Sequence, residues 1–300
     1  VTRYRFIDAK RAEFGVRRCS RAVGVSPSGF YDWHRRGPSA RELTDQRLLS
    51  QIRRIHRDSG GAYGAPRIHA ELQIACGAKV GRKRVARLMR TAGLVGCHRR
   101  RRVRPGLTRR DPKAAPAPDL CGRQFSPPQL DRLWHADYTE LPTDQGPVYL
   151  AAVVDGCSRL AVGHQMGEHA TAELAIGAVQ LAVWRRGLVH DGLIHHSDQG
   201  AQFTSLAFGS KLQQLGIRAS MGAVGDCYDY ALIESFFATL ECELIDQRHW
   251  RTREEARLEV FWWIEAVYNR TRRHSSLGYL SPLEYEAKLT MAAGNSDPSK

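Results

Sequence analysis

Between residues 133 and 220 the hydrophobic period changes in an order that few architectures accommodate. Three short apolar runs follow one another at strand spacing, Leu133–Thr139, Val148–Val154 and Leu160–Met166. A helical pattern covers Thr171–Arg186, a strand Leu193–Ser197, a helix Ser205–Leu215 and a last short strand Ile217–Ser220. Three consecutive strands, then helix and strand in alternation, describe an α/β chain with a mixed sheet and helices on its faces.

Three acids stand at telling places in that pattern. Asp137 sits inside the first run, Leu133-Trp134-His135-Ala136-Asp137-Tyr138-Thr139. Asp198 ends the fourth, Leu193-Ile194-His195-His196-Ser197-Asp198. Glu234 lies in a later helical stretch, Ala231-Leu232-Ile233-Glu234-Ser235-Phe236-Phe237. A lone acid in a strand is ordinarily an edge residue facing solvent. Three in this order, each embedded in apolar sequence, fit a carboxylate cage. Carboxylates are hard donors suited to Mg²⁺, and two such ions activate a nucleophile and stabilise a leaving oxygen in phosphodiester chemistry. The strand order also matches a ribonuclease-H-like fold.

The front of the chain has a different character. The net charge is +14, yet residues 1–130 carry 30 Lys and Arg against 9 Asp and Glu, and the remainder carries 15 against 22. A basic half joined to an acidic half fits a region that grips nucleic acid joined to one that holds cations. Residues 12–36 read as a helix-turn-helix. One helix runs Ala12–Val23, the turn is Gly24-Val25-Ser26, and the second helix starts at Pro27 with Ser26 as its cap. Arg17, Arg18 and Arg21 flank the unit, with Arg35 and Arg36 beyond. Residues 41–95 carry further helical spacing, with Leu48, Ile52, Ile55 and His56 recurring. A helix over Val80–Leu94 turns Val85, Leu88 and Met89 inward and Arg82, Lys83, Arg84, Arg87 and Arg90 outward. Gly77 and Gly81 mark a second helix-turn-helix. The block Arg99, Arg100, Arg101 and Arg102 is suited to phosphates. Residues 105–128 hold six of the thirteen prolines and read as an extended linker.

Other signals are weaker. No apolar run reaches membrane-spanning length, and the N-terminus has no signal-peptide core. The seven cysteines include no C-x-x-C pair, so free thiols in a cytoplasmic setting are expected, without zinc. Of the adjacent His195 and His196, one is expected in the core and the other at the surface, since neighbours on a strand face opposite ways. Asp155 is expected to end a strand in a turn. Asp226 and Asp229 fall in a loop before the Glu234 helix, and Ser197 has no triad partners. Trp262 and Trp263 are expected to pack. The helix Arg253–Tyr268 should lie on the sheet or on the Glu234 helix.

The acids sit in longer blocks. These are Trp134-His135-Ala136-Asp137-Tyr138-Thr139, His195-His196-Ser197-Asp198-Gln199-Gly200-Ala201-Gln202-Phe203 and Tyr228-Asp229-Tyr230-Ala231-Leu232-Ile233-Glu234-Ser235-Phe236-Phe237. They resemble the catalytic blocks of OrfB-type bacterial insertion-sequence transposases, whose core is similar to retroviral integrases. The thirty-five residues between Asp198 and Glu234 match that group's spacing. Tyr268-Asn269, Arg272, His274 and Leu277-Gly278-Tyr279 resemble its C-terminal signature, and Tyr63-Gly64 with Arg87-Leu88-Met89-Arg90 its upstream helices. The resemblance implies cleavage and strand transfer of DNA at the ends of a mobile element, with two Mg²⁺ ions, or Mn²⁺ in their place, held by Asp137, Asp198 and Glu234. It implies double-stranded DNA as partner, both terminal inverted repeats and target. It also implies a DNA-assembled homo-oligomer and an upstream-frame protein or fusion. Two positions depart from it. Tyr230 stands where Asn is usual, and Glu241 where Lys or Arg is common.

The expected organisation is a helical DNA-binding region over 1–104, a Pro-rich basic linker over 105–130, a ribonuclease-H-like core over 131–248, a helical extension over 249–290 and a disordered tail over 291–300. Two rivals remain: a DNA-binding regulator derived from a decayed transposase, and a nuclease that only hydrolyses.

Overall fold

A computed structural model describes residues 2–98, 116–187, 192–222 and 231–294. The first helical unit contains α1 (Thr2–Phe14), α2 (Val16–Val23) and α3 (Pro27–Arg35) around Ile7, Cys19 and Phe30. The single helix expected over Ala12–Val23 is broken at Gly15, whose φ of 74° lies where a residue with a side chain is strained. Its companion follows the expectation: Ser26 Oγ accepts the Gly29 amide at 3.0 Å, and Pro27 occupies the first turn. Gly24 closes α2 in the left-handed region.

The second unit is α4 (Ala40–Asp58), α5 (Ala65–Ile74) and α6 (Arg82–Thr91). Ser39 and Glu42 form a capping box that starts α4. Leu48, Ile52 and Ile55 of α4 meet Ile68 and Leu72 of α5 and Val85, Leu88 and Met89 of α6 in one core. His56 stands at the edge of that core and bonds the Val95 carbonyl at 3.1 Å.

The sheet is mixed and five-stranded, in the order β3-β2-β1-β4-β5. Its strands are β1 (Leu133–Leu141), β2 (Val148–Asp155), β3 (Ala161–Gly167), β4 (Ile194–Ser197) and β5 (Arg218–Met221). The first three pair antiparallel, while β4 joins β1, and β5 joins β4, in parallel. Alternation along β1 divides the interior. Trp134, Ala136 and Tyr138 face a core shared with α7 (Ala172–Arg186) and α8 (Leu206–Gln214). Leu141, with Leu150, Ala152 and Val154 of β2, faces α9 (Ala231–Glu243) and α10 (Arg253–Trp262) on the other side. Helix α7 approaches β3 so closely that a Cβ at Gly163 would stand 2.0 Å from the Ala178 carbonyl.

Helix α10 runs on into a π-helical turn, Trp263–Tyr268. The wider turn keeps Trp263, Ile264 and Tyr268 in the α9 core, so this stretch packs on both the sheet and the Glu234 helix. Trp262 does not pack as expected and is 62% exposed, because the face opposite Val260 and Trp263 looks outward. Asn269 then pairs like a strand residue with Ala161, accepting its amide at 2.9 Å and donating to its carbonyl at 3.1 Å. The closing helix α11 (Pro282–Gly294) is tied to the core through Glu286, which binds Arg186 and Ser158. Asp155 ends β2 in a turn, fully buried, and accepts the amides of Asp131, Cys157 and Ser158. No helix among the described residues is long and apolar enough to cross a membrane.

Candidate active site

Parallel pairing of β1 with β4 sets Leu133 against Ile194, Trp134 against His195 and His135 against His196. Asp137 follows His135 by two residues on β1, and Asp198 follows His196 by two, just past the end of β4. Asp137 is half-buried, paired across β2 with Ala152, and its Oδ1 accepts the Tyr138 amide at 2.7 Å. Asp198 leaves the end of β4, and its Oδ1 accepts the Gly200 amide at 3.0 Å. The turn is held by Gln199, whose side-chain amide donates to the Gly222 carbonyl at 3.0 Å. Ser197 is buried, and its hydroxyl donates to the Asp198 carbonyl.

Glu234 arrives from the other direction, exposed on the first turn of α9. Leu232, Ile233, Phe236, Phe237 and Leu240 of that helix are buried, and they fix the face that Glu234 presents. The three carboxylates share one electrostatic environment. Burial pushes the Asp137 carboxyl up to about 7, the Asp198 charge adds to the rise, and Glu234 adds further; the Tyr138 amide opposes it. Glu241 lies two turns beyond Glu234 on α9 and is half-buried. Tyr230, Asp226 and Asp229 lie outside the described residues.

His195 and His196 are both buried, contrary to the expectation that one would be at the surface. A sheet covered by helices on one face and by residues 119–125 on the other leaves β4 no solvent side. His195 stacks edge-on against Phe208 at 5.2 Å in the α8 core. Burial drives it, and His135, down to about 3. His196 points the other way, with Nδ1 3.1 Å from Cys121 Sγ and 3.0 Å from Ser220 Oγ. Asp119, Cys121 and His196 bring three ligand-type atoms within 4.8 Å of one another. Sequence spacing could not reveal that group, since 75 residues separate Cys121 from His196. Its thiol and imidazole are softer donors than the carboxylates around Asp137.

The chain from Leu120 to Phe125 docks on the core. Leu120 N–H donates to Ser220 Oγ at 2.9 Å, and His135 Nε2–H to the Phe125 carbonyl at 3.0 Å. Among the basic residues singled out in the sequence, Arg17, Arg18 and Arg21 are exposed on α2, and Arg82 and Lys83 on the first turn of α6. Arg84 is different: its guanidinium holds Asp45 of α4 at 2.6 Å, and Arg87 holds the same carboxylate. Internal pairing makes Arg84 a strut between α4 and α6 rather than an outward cation. Arg99, Arg100, Arg101 and Arg102 lie outside the described residues.

Comparison with known families and proteins agrees with this layout. A model described as "Integrase core domain" matches residues 127–227, a second of the same description matches 215–282, and an "HTH-like domain" matches 43–102. The transposase of insertion sequence element IS629 from Shigella sonnei is 33% identical over 296 residues, 97% of this chain and 98% of that one. Transposase InsF of insertion sequence IS3A from Escherichia coli strain K12 is 37% identical over 288 residues, 95% of this chain and 99% of that one. A crystal structure of the catalytic core of BIV integrase aligns with a TM-score of 0.40 at 20% identity, covering 54% of this chain and 99% of that one.

Proposed function

From the premise that this chain belongs to the insertion-sequence transposases with an integrase core, we propose that Asp137, Asp198 and Glu234 are its catalytic carboxylates. The observation that supports this reading is that the charges of both Asp198 and Glu234 reach the Asp137 carboxyl, with β1 and β4 paired in parallel just before the two aspartates.

The donor set fits divalent cations. Asp137, whose carboxyl is raised to about 7 by burial and by the charges of Asp198 and Glu234, belongs to a group of hard oxygen donors whose mutual repulsion a cation relieves. Asp137, Asp198 and Glu234 would hold Mg²⁺, two ions in this reading, with Mn²⁺ as substitute. When bound, the ions supply Lewis-acid stabilisation of the attacking and leaving oxygens in an in-line displacement. The chain's own part is placement. Strand β1 carries Asp137, the turn after β4 carries Asp198, and the buried face of α9 orients Glu234. Water and then a free 3′-hydroxyl attack successive phosphodiesters. Water attack leaves a free 3′-hydroxyl and a 5′-phosphate; when that 3′-hydroxyl displaces a 3′-oxygen in the target, one phosphodiester replaces another, so neither a covalent enzyme intermediate nor a nucleotide cofactor is needed.

The substrate is double-stranded DNA, the terminal inverted repeats and a target. Arg17, Arg18 and Arg21, and Arg82 and Lys83 at the start of α6, would contact its phosphates, a reading supported by their exposure. Two DNA ends call for two active sites, hence a DNA-assembled homo-oligomer, with an upstream-frame protein or fusion as further partner. The organisation by residue is 1–104 for DNA binding, 105–130 for the linker, 131–248 for the core and 249–290 for the extension, in a bacterial cytoplasm.

A Mg²⁺-dependent assay on DNA carrying the element's ends tests the proposal. Cleavage followed by joining is expected, with both lost in Asp198→Asn. Binding without cleavage points to the regulator, and cleavage without joining to the nuclease. Unchanged strand transfer by Asp198→Asn removes Asp198 from the site.

A further inference from the structure

The chain before β1 folds onto β4 and β5 at His196 and Ser220. There a carboxylate oxygen of Asp119, the Cys121 thiol and a ring nitrogen of His196 lie within 4.8 Å of one another. Cys121 and His196 are buried, and Asp119 is exposed. The group is therefore enclosed on the sheet side and open to solvent at its carboxylate. Asp119 Oδ1 accepts the Cys121 amide at 2.8 Å, which holds carboxylate and thiol on one turn.

Hydrogen bonding leaves a contest at His196. Leu120 N–H donates to Ser220 Oγ at 2.9 Å, and Ser220 Oγ stands 3.0 Å from His196 Nδ1. Cys121 Sγ stands 3.1 Å from the same nitrogen. A neutral imidazole nitrogen offers one lone pair or one N–H, never both. Either the hydroxyl and the thiol compete for one lone pair, or one N–H is divided between two acceptors. A divalent cation resolves this. Thiolate and imidazole lone pair both turn to the ion, and the Ser220 hydroxyl, 3.7 Å from Cys121 Sγ, donates to the thiolate. Two ligands on a tetrahedral zinc, with bonds of about 2.3 Å to sulfur and about 2.1 Å to nitrogen, stand about 3.6 Å apart. A small opening of the Cys121 turn reaches that spacing. Sulfur and imidazole select a borderline-soft ion, whereas Mg²⁺ takes oxygen donors.

We infer that Asp119, Cys121 and His196 bind a divalent transition ion of the zinc class, at a site separate from Asp137, Asp198 and Glu234. The ion clamps the chain before β1 to the β4–β5 end of the sheet. Three protein donors leave one tetrahedral position to water, the form of an exchangeable site rather than of one required for folding. Binding releases the Cys121 proton to solvent, so the sulfur enters as thiolate. Cys121 and His196 are 75 residues apart, which is why no local cysteine or histidine spacing marks the site.

The test uses the full chain with Co²⁺ and Zn²⁺ as probes. Co²⁺ should give a thiolate-to-metal charge-transfer band and the ligand-field bands of tetrahedral cobalt, and Zn²⁺ should abolish both. Cys121→Ser should lose the charge-transfer band. Asp119→Asn, an exposed change that keeps the buried pair, should retain the band but weaken Co²⁺ binding about tenfold. Zn²⁺ at about ten times its dissociation constant should slow tryptic cleavage after the exposed Arg123 about tenfold, since the clamped segment must open to be cut. Absence of the charge-transfer band, its persistence in Cys121→Ser, or equal affinity in Asp119→Asn overturns the inference. So does displacement of the cobalt by excess Mg²⁺, or loss of the band in Asp198→Asn, either of which would put the ion at the carboxylates. Cleavage after Arg123 that zinc leaves unchanged overturns the clamp.

Discussion

The two ends of α9 carry acids in opposite circumstances. At its start, Glu234 adds its charge to Asp137 and Asp198, and the Asp137 carboxyl is pushed up to about 7 by burial and by both neighbours. At its end, Glu243 is enclosed where Glu234 is exposed, with its side chain 5% exposed, and it meets Arg272 at 2.8 Å and Arg67 at 3.3 Å. Burial opposes the Arg272 charge, and Glu243 outweighs it, so the guanidinium is held above its ordinary value. One helix therefore holds an acid paired with cations, which joins parts of the fold, and an acid that adds to like charge, which suits an arriving cation. The difference separates a structural role from a chemical one without reference to residue type.

The largest effect should come from Asp137→Asn. Strand transfer is expected to fall by about a thousandfold, roughly 4 kcal/mol of transition-state stabilisation. The metal-free protein should at the same time melt higher, since a like-charge group has been relieved. Loss of activity together with loss of stability would mean that Asp137 is a structural acid, and the contrast along α9 would disappear.

Glu243→Gln should do the reverse. It leaves the buried Arg272 without its counter-charge, which costs about 3 kcal/mol of folding stability. Thermal unfolding reads that loss. A melting temperature within error of the parent would show that Arg272 finds another partner, and the neutralised end would no longer be a joint.

These assignments differ in how far the sequence reveals them. Strand boundaries around Asp137 and Asp198 follow from apolar alternation, and the register needed only the parallel neighbour of β1. The Glu234 helix was legible from Leu232, Ile233, Phe236 and Phe237. Glu243 was not, because its partners lie 29 residues later and 176 earlier, and no local period connects them. Arg84 misled for the same reason: its helix position is outward, but Asp45 lies 39 residues away and reaches it. One of His195 and His196 was expected at the surface because strand alternation ignores the segment around Cys121 that folds over the sheet at His196. Local pattern thus fixes which face a residue takes, while long-range pairing decides what charge awaits it there.

Acid should also separate the two ends, and in opposite directions. Asp137 has a folded value of about 7, above its unfolded value near 4. Its protonated form is favoured by folding, so its contribution is fully present below about 4 and is lost as pH rises through 7. His274, beside Arg272, is pushed down to about 2 by burial and that charge. Its contribution is present above the unfolded value near 6.5 and declines as pH falls toward 2. Between pH 7.5 and 5.5 each group should change metal-free stability by about 1 to 2 kcal/mol. Asp137→Asn should steepen the loss of melting temperature on acidification, and His274→Gln should flatten it. Parallel curves for all three proteins would break the contrast.

The smallest effect tests whether the two ends are independent. The Tyr63 hydroxyl accepts the Arg273 amide at 2.8 Å and donates to the Thr271 carbonyl at 3.3 Å. It holds the segment before α5 against the chain that presents Arg272 to Glu243. Tyr63→Phe keeps the ring but orphans a buried amide, which costs about 1 kcal/mol. The melting temperature should drop by a few degrees while strand transfer per folded molecule stays at the parent rate. The reason lies in the core between the ends: Phe236, Leu240 and Ile233 pack α9 on the sheet whether or not the α5 side is tight. If strand transfer instead fell tenfold with DNA binding intact, motion at the Glu243 end would be reaching Glu234 through the helix. The neutralised acid would then be part of how the chemical one is positioned.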